Sequence, residues 1–295
     1  MKIIDTHCHY NVEPLLSNLE HHWQKSTDNN VLGGICIGTD IQNSKIALEL
    51  ANRYPTMFAS IAIHPEEYTQ NIKSILDGDK YSPKKIDQLV ASDIKEFENL
   101  LDINNSKIIA IGEIGLDYYR LKRKGLKREL VEKMQKDIFS KQLRLAFQNN
   151  LPVILHVRDQ LDRTQNNAYY DVYKIVKDMI AEFNSAPKII LHCASGPLDY
   201  IKDFLELGAY IGFAGNITYS NAPELRKILE ITPKDKVLIE TDAPYLAPNE
   251  KKGELCEPYL ITKTAEFLQN NYQLDIDIIL ANTLKVFPQF KELVN

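Results

Sequence analysis

The chain has 295 residues, 44% of them hydrophobic and 25% charged, which is too apolar for wholesale disorder and enough for one large domain or two small ones. Its formal net charge of −5 excludes coating of nucleic acid by bulk electrostatics, though not a local basic patch. Cys8, Cys36, Cys193 and Cys256 form no CxxC pair, the opening residues run straight into polar chemistry, and no run of about 18 apolar residues occurs, so the expectation is a soluble, cytoplasmic protein with no membrane contact.

In chain order, short apolar runs occupy residues 2–6, 32–37, 57–63, 107–111, 152–155, 188–191, 209–212 and 237–239. Each closes on a polar or glycine-bearing turn, as strands buried on both faces do. Between them apolar residues recur three and four apart. Examples are 129–149, with Val131, Met134, Ile138, Leu145 and Phe147, and 171–183, with Val172, Ile175, Val176, Met179 and Ile180; both read as amphipathic helices. Strands alternating with helices pair in parallel through right-handed crossovers, and eight is the number that closes a barrel. The predicted fold is therefore α/β, a single (β/α)8 TIM-type barrel spanning residues 1–295; an open doubly wound sheet is the alternative. An additional helix at 275–290 is expected to cap the outside. Connections 66–83 and 158–168 are longer than a barrel needs, and both follow strand C-termini, the face where barrels place active sites.

The chemistry lies in where the ligand-type residues fall. His7 and His9 close the first strand two apart, so strand alternation points both imidazoles one way and Cys8 the other, and the same alternation is expected to turn Cys193 away from the side that His192 faces. Glu113, His156, His192 and Asp242 each follow the apolar run of the fourth, fifth, sixth or eighth strand. A structural role explains one such residue better than six at successive rim positions. Four imidazoles and two carboxylates suit Zn²⁺, Mn²⁺, Fe²⁺ or Co²⁺ and are richer in nitrogen than a typical Mg²⁺ or Ca²⁺ cage. Six ligands exceed what one catalytic zinc uses, so two ions sharing a bridging carboxylate fit better; such a pair stabilises both attacking and leaving oxygens. Of the remaining histidines, His21 and His22 read as surface residues of a helix.

These residues sit in motifs: DTHCH at 5–9, AIHP at 62–65, GEIGLDY at 112–118, LHVR at 155–158, HCASG at 192–196 and ETDAPY at 240–245. Six motifs in this order closely resemble the signatures of the TatD-related deoxyribonucleases, a branch of the amidohydrolase-like metal-dependent hydrolases. The resemblance implies a (β/α)8 barrel, two divalent ions per chain (Zn²⁺, Mn²⁺, Mg²⁺, Co²⁺ or Fe²⁺) and 3′→5′ exonuclease action on DNA, single-stranded or at 3′ ends. It implies that His7, His9 and Asp242 hold one ion and His156 and His192 the other, with Glu113 bridging them. Asp242 would also be the general base, and His64 and Arg158 would face the substrate phosphate. Two positions depart from the family pattern: Ala194 stands where HCFSG has Phe, and residues 254–258 read ELCEP where a basic-Asn-Glu-Pro run is usual. Neither is a predicted metal ligand.

Other segments carry paired readings. Asp117, Tyr118 and Tyr119 either line a nucleic-acid cleft by stacking or simply pack. Residues 212–216 form a substrate loop or a glycine turn, and Asp5 is either a partner that orients a ligand or part of the barrel floor. From 120 to 128, Arg120, Lys122, Arg123, Lys124, Lys127 and Arg128 are basic, a phosphate-tracking loop or a solvated helix entry. The alternative activity is metal-dependent hydrolysis of a carbonyl bond, such as the ester of a D-aminoacyl-tRNA. A metal-stabilised scaffold is disfavoured, since structural zinc sites are closed and cysteine-rich. Metal identity, physiological substrate and oligomeric state stay open at this level.

Overall fold

In the computed structural model, which describes residues 1–69, 83–101, 106–121, 126–159 and 167–294, all eight apolar runs are strands. They are β1 (Ile3–Cys8), β2 (Val31–Ile37), β3 (Met57–Ile61), β4 (Ile108–Asp117), β5 (Val153–Arg158), β6 (Ile189–Leu191), β7 (Tyr210–Phe213) and β8 (Val237–Ile239). Each pairs in parallel with the next, in the order β1 to β8. The last edge meets the first just beyond β8. Cys8 bridges to Ala243, His9 N donates to Ala243 O at 2.8 Å, and Asp242 N donates to His7 O at 2.9 Å. The Thr6 hydroxyl adds a bond to Ile239 O at 2.9 Å. These bonds make a barrel of what could have been an open sheet.

Helices cover the outside: α1 (Leu19–Asp28), α2 (Ile41–Arg53), α3 (Pro83–Leu101), α4 (Leu126–Asn149), α5 (Ala168–Phe183), α6 (Leu198–Glu206), α7 (Pro223–Ile231), α8 (Ile261–Tyr272) and α9 (Ile276–Val286). Side chains of Asp40, Asn167 and Asp275 accept backbone N–H groups at the starts of α2, α5 and α9, satisfying donors that a helix leaves orphaned. Val131, Met134 and Ile138 of α4 and Val172, Val176 and Met179 of α5 are buried against the strands, as their spacing requires. None of the described helices is long and apolar enough to cross a membrane.

Two expectations need correction. β1, β4 and β5 run past their apolar stretches, so His7, Glu113 and His156 lie within strands rather than beyond them. The ladder continues through polar residues because Leu116 and Asp117 still pair with Val157 and Arg158. The expected C-terminal helix forms as α9, with Ile276 and Ile279 packed in the outer core beside Ile3, Val237 and Ile239, but the segment's far end does more than cap the outside. Val286, Phe287 and Phe290 pack with Ile4, Ile35, Ile109, Ile190 and Leu238 from the strand beginnings, sealing the end of the barrel opposite the active-site face. Of the two long connections, residues 70–82 and 160–166 lie outside the described residues.

Candidate active site

Glu113 stands at the centre of the barrel mouth, and its two carboxylate oxygens face different sets of imidazoles. Oε2 lies 3.4 Å from His7 Nε2 and 3.9 Å from His9 Nε2. Oε1 lies 3.5 Å from His64 Nε2, 2.5 Å from His156 Nδ1 and 3.5 Å from His192 Nε2. Asp242 Oδ1 joins the first set, 3.3 Å from His9 Nε2 and 3.7 Å from His7 Nε2. Thus all six residues expected as ligands converge, and His64 converges with them. Ligand atoms of His7, His9 and Asp242 lie within 4.8 Å of one another, as do those of His64, Glu113 and His156. His192 stands between the sets: its ring stacks on His7 with centroids 3.5 Å apart, and its Nε2 is also 3.8 Å from Asp242.

Small residues make the convergence possible. A side chain at Gly115, whose φ is +147°, would strike the His156 carbonyl, so only glycine lets β4 press this close to β5 beside Glu113. A Cβ at Gly212 would meet the Glu240 carboxylate at 2.6 Å. Beyond the short strands β6 and β8, Cys193 and Asp242 adopt left-handed backbone, with φ of 41° and 55°, an uncommon conformation that clusters at functional sites.

The charges in the cluster are poised for cations. Burial alone would push Glu113 up, but His192, His64 and His156 hold it well below the usual carboxylate range. Asp242 is likewise lowered against burial, by its bond to His9 and by His192 and His7. Burial would lower the two histidines paired with carboxylates, yet Glu113 and Asp117 push His156 up to about 9, and Glu240 and Glu113 push His192 up to about 10. Burial and neighbouring imidazoles lower His7 and His64. His7 is wholly buried, yet neither ring nitrogen has a hydrogen-bond partner among the described residues. Buried polar atoms are rarely left so. The donor set, the anionic carboxylates and these orphaned nitrogens all fit divalent metal ions, which bind deprotonated ligands and displace protons.

Three carboxylates that sequence reasoning gave no metal-site role complete the arrangement. Glu240 Oε1 lies 2.8 Å from His192 Nδ1 and accepts the Cys193 backbone N–H at 2.6 Å. Asp117 Oδ2 lies 3.1 Å from His156 Nε2 and accepts Arg158 Nε at 2.7 Å. Carboxylates behind metal-binding histidines fix which ring nitrogen faces the ion. Glu66 is the third, 2.7 Å from Arg158 Nη2. A signal existed for Glu240, which alternates with Asp242 in ETD, and for Asp117 in GEIGLDY; none marked Glu66. Asp5 accepts from the backbone of His7 and from both the backbone and hydroxyl of Thr241. It ties β1 to the end of β8 beneath the ligands, and its burial pushes the carboxyl up to about 7.

Other expectations fare differently. Arg158 lines the mouth as expected, but Asp117 and Glu66 both engage it. Of the three residues considered for stacking, Asp117 and Tyr118 are buried and only Tyr119 is half exposed, under the Arg158 guanidinium. Cys8 faces away from the site, toward Ala243 O. Cys193 does not, because alternation ends with β6 at Leu191; it lines the cavity beside His192 and Asp242. The 212–216 loop reaches the mouth, with Asn216 Nδ2 3.6 Å from Cys193 Sγ. His22 is buried, not a surface residue, with Nδ1 3.1 Å from Glu257 Oε2; His21 is exposed. Ala194 and Cys256 are both buried. In the basic run, Arg120 reaches the mouth and Arg128 pairs with Glu132, while Lys122, Arg123 and Lys124 lie outside the described residues. The whole opens into a cavity of about 690 Å³.

Comparison with known proteins agrees with this geometry. An uncharacterised metal-dependent hydrolase of Mycoplasma genitalium is 30% identical over 297 residues, covering 97% of this chain and 99% of that one. The 3′-5′ ssDNA/RNA exonuclease TatD of Salmonella typhimurium is 31% identical over 221 residues, 75% of this chain and 70% of that one. Among solved structures, the TatD homologue YjjV of Escherichia coli matches with a TM-score of 0.76 at 25% identity, covering 97% of this chain and 98% of that one. The family model described as TatD related DNase matches residues 4–290. With a match running almost from end to end, the chain belongs to the TatD-related DNase family and is an enzyme, a metal-dependent hydrolase.

Proposed function

We propose that the enzyme is a two-metal phosphodiesterase that shortens DNA from its 3′ end, with single strands as the preferred form. The observation that carries this reading is Glu113, whose oxygens face His7 and His9 on one side and His64, His156 and His192 on the other. On this reading His7, His9 and Asp242 would hold one ion and His156 and His192 the other, with Glu113 placed to serve both. When bound, such a pair supplies Lewis acidity toward the phosphate and makes an attacking water more acidic. Asp242, kept ionised by its histidine neighbours, accepts the proton from that water. His64 Nδ1 accepts the Glu66 backbone N–H at 3.1 Å, so its neutral ring carries the proton on Nε2, which lies 3.5 Å from Glu113 Oε1 at the cavity wall. There it can turn to an oxygen of the phosphate being cleaved, while Arg158, held by Asp117 and Glu66, offers its charge to a phosphate of the same strand.

The size of the cavity supports action at an end: about 690 Å³ suits one nucleotide-sized group and not a duplex passing through. The Salmonella relative is named for single-stranded DNA and RNA. The test is hydrolysis of a 5′-labelled single-stranded oligonucleotide beside a D-aminoacyl-tRNA, with divalent ions added to both. Stepwise shortening of the oligonucleotide is expected. Release of the amino acid with an intact oligonucleotide would overturn the reading in favour of carbonyl-ester hydrolysis.

A further inference from the structure

We infer that Arg158 and Arg120 form a second anion subsite at the mouth, and that Glu66 guards it by standing in for a substrate phosphate beyond the scissile bond. The inference rests on the phosphodiester reading above. Arg158 is the last residue of β5, and its Nε and Nη2 both grip Asp117 Oδ2, at 2.7 and 2.6 Å. Asp117 is buried and in turn accepts the Tyr119 backbone N–H at 3.0 Å. The guanidinium is thus fixed from below by a carboxylate that cannot leave. From above it is held by one that can: Glu66 Oε1 is 2.7 Å from the same Nη2, and its side chain is 23% exposed. Arg120 Nη1 stands 3.6 Å from that oxygen, on a side chain 65% exposed.

Two guanidiniums around one displaceable carboxylate are built to exchange it for another planar or tetrahedral oxyanion. Asp117 balances one of the two guanidinium charges and Glu66 the other. A neutral ester gains nothing by displacing Glu66, whereas each entering phosphate recovers the contacts that Glu66 gives up. The subsite also has a fixed bearing on the reaction centre, because Arg158 reaches His156 and Glu113 through Asp117. The Glu66 backbone N–H sets the His64 ring. Glu66 therefore weakens the binding of every ligand that must displace it, and the two guanidiniums repay that cost to anions alone.

The probe is inorganic phosphate, titrated by calorimetry into the metal-loaded full chain, a readout that needs no turnover. Glu66→Gln should tighten the phosphate Kd about fivefold, the order expected for one half-exposed ion pair. Glu66→Asp, which keeps the charge but draws it back by one methylene, should share the gain. In an Arg158→Met background the Glu66→Gln gain should vanish. A Kd unchanged or weakened by Glu66→Gln, or a gain that persists without Arg158, would overturn the subsite. If the gain appears but no oligonucleotide is cleaved, the subsite stands and the phosphodiester reading falls.

Discussion

Replacing Glu113 by alanine removes a carboxylate that faces both histidine sets, whereas replacing His9 removes one nitrogen from one set. Under the two-metal proposal, Glu113→Ala should lower kcat more than His9→Ala, because both ions and the water they share lose a common anchor. Near-normal kcat in Glu113→Ala, with the fold intact by circular dichroism, would refute the bridging role. Glu240 and Asp117 act one layer out, on His192 and His156. Glu240→Gln and Asp117→Asn should each cost roughly 10–100-fold in metal affinity or activity, less than Glu113→Ala; metal titration followed by rate measurement separates the two effects. At this scale the sequence was informative about ligands and poor about their supports. A histidine or carboxylate ending an apolar run declares itself, and all six such residues converge. Glu240, Asp117 and Glu66 matter through what they touch across 47, 39 and 92 residues of chain, and no spacing along one strand encodes that. Cys193 was misjudged because alternation was carried past the end of β6 into left-handed backbone.

Hydrophobic patterning located all eight strands and the cores of α4 and α5, because burial on one or both faces leaves a period in the sequence. It shortened β4 by six residues, from Asp117 back to Ile111, since that part of the strand carries the polar residues Glu113 and Asp117 of the candidate site. It anticipated the C-terminal helix but not the plug at its far end, as an apolar period shows that a face is buried but not against what. The pairing of α1 with the turn at Glu257 was likewise silent. Lys25 Nζ lies 2.8 Å from Glu257 Oε1, and His22 Nδ1 lies 3.1 Å from Oε2. Burial would raise the Glu257 carboxyl, but its bonds to Lys25 and His22 bring it below the usual value. A depressed carboxyl pKa stabilises the fold above the unfolded-state value of about 4.3 and loses that contribution as pH falls through the lower folded-state value. Glu257→Gln should therefore cost up to about 1 kcal/mol at neutral pH, a modest figure because Lys25 and Glu257 are still partly open to solvent. Urea denaturation should show the deficit shrinking in acid. A deficit that stays constant across the carboxylate range would mean that Glu257 acts through packing alone.

For the molecule as a whole, the barrel gathers five histidines and two carboxylates at one end and an apolar plug at the other. This division is the one barrels use, with chemistry at strand C-termini and stability at the opposite face. His7 and His192 stack with centroids 3.5 Å apart, and carboxylate neighbours push His156 and His192 up to about 9 and 10. At neutral pH those protons occupy nitrogens that an ion would need, so metal binding should release protons and weaken as pH falls. An ion that binds the folded chain and not the unfolded one adds about 2.7 kcal/mol when its free concentration is a hundred times its Kd. For a chain of this size that corresponds to a rise in Tm of roughly 4 °C per site. Chelation of gently purified protein should lower Tm by at least that much, and re-addition of Zn²⁺, Mn²⁺ or Co²⁺ should restore it. Elemental analysis should approach two ions per chain. A folded preparation that takes up no transition metal at saturation, or whose Tm ignores both chelator and ion, would sink the two-metal proposal. One ion per chain with full activity would leave a hydrolase but remove the bridging role assigned to Glu113.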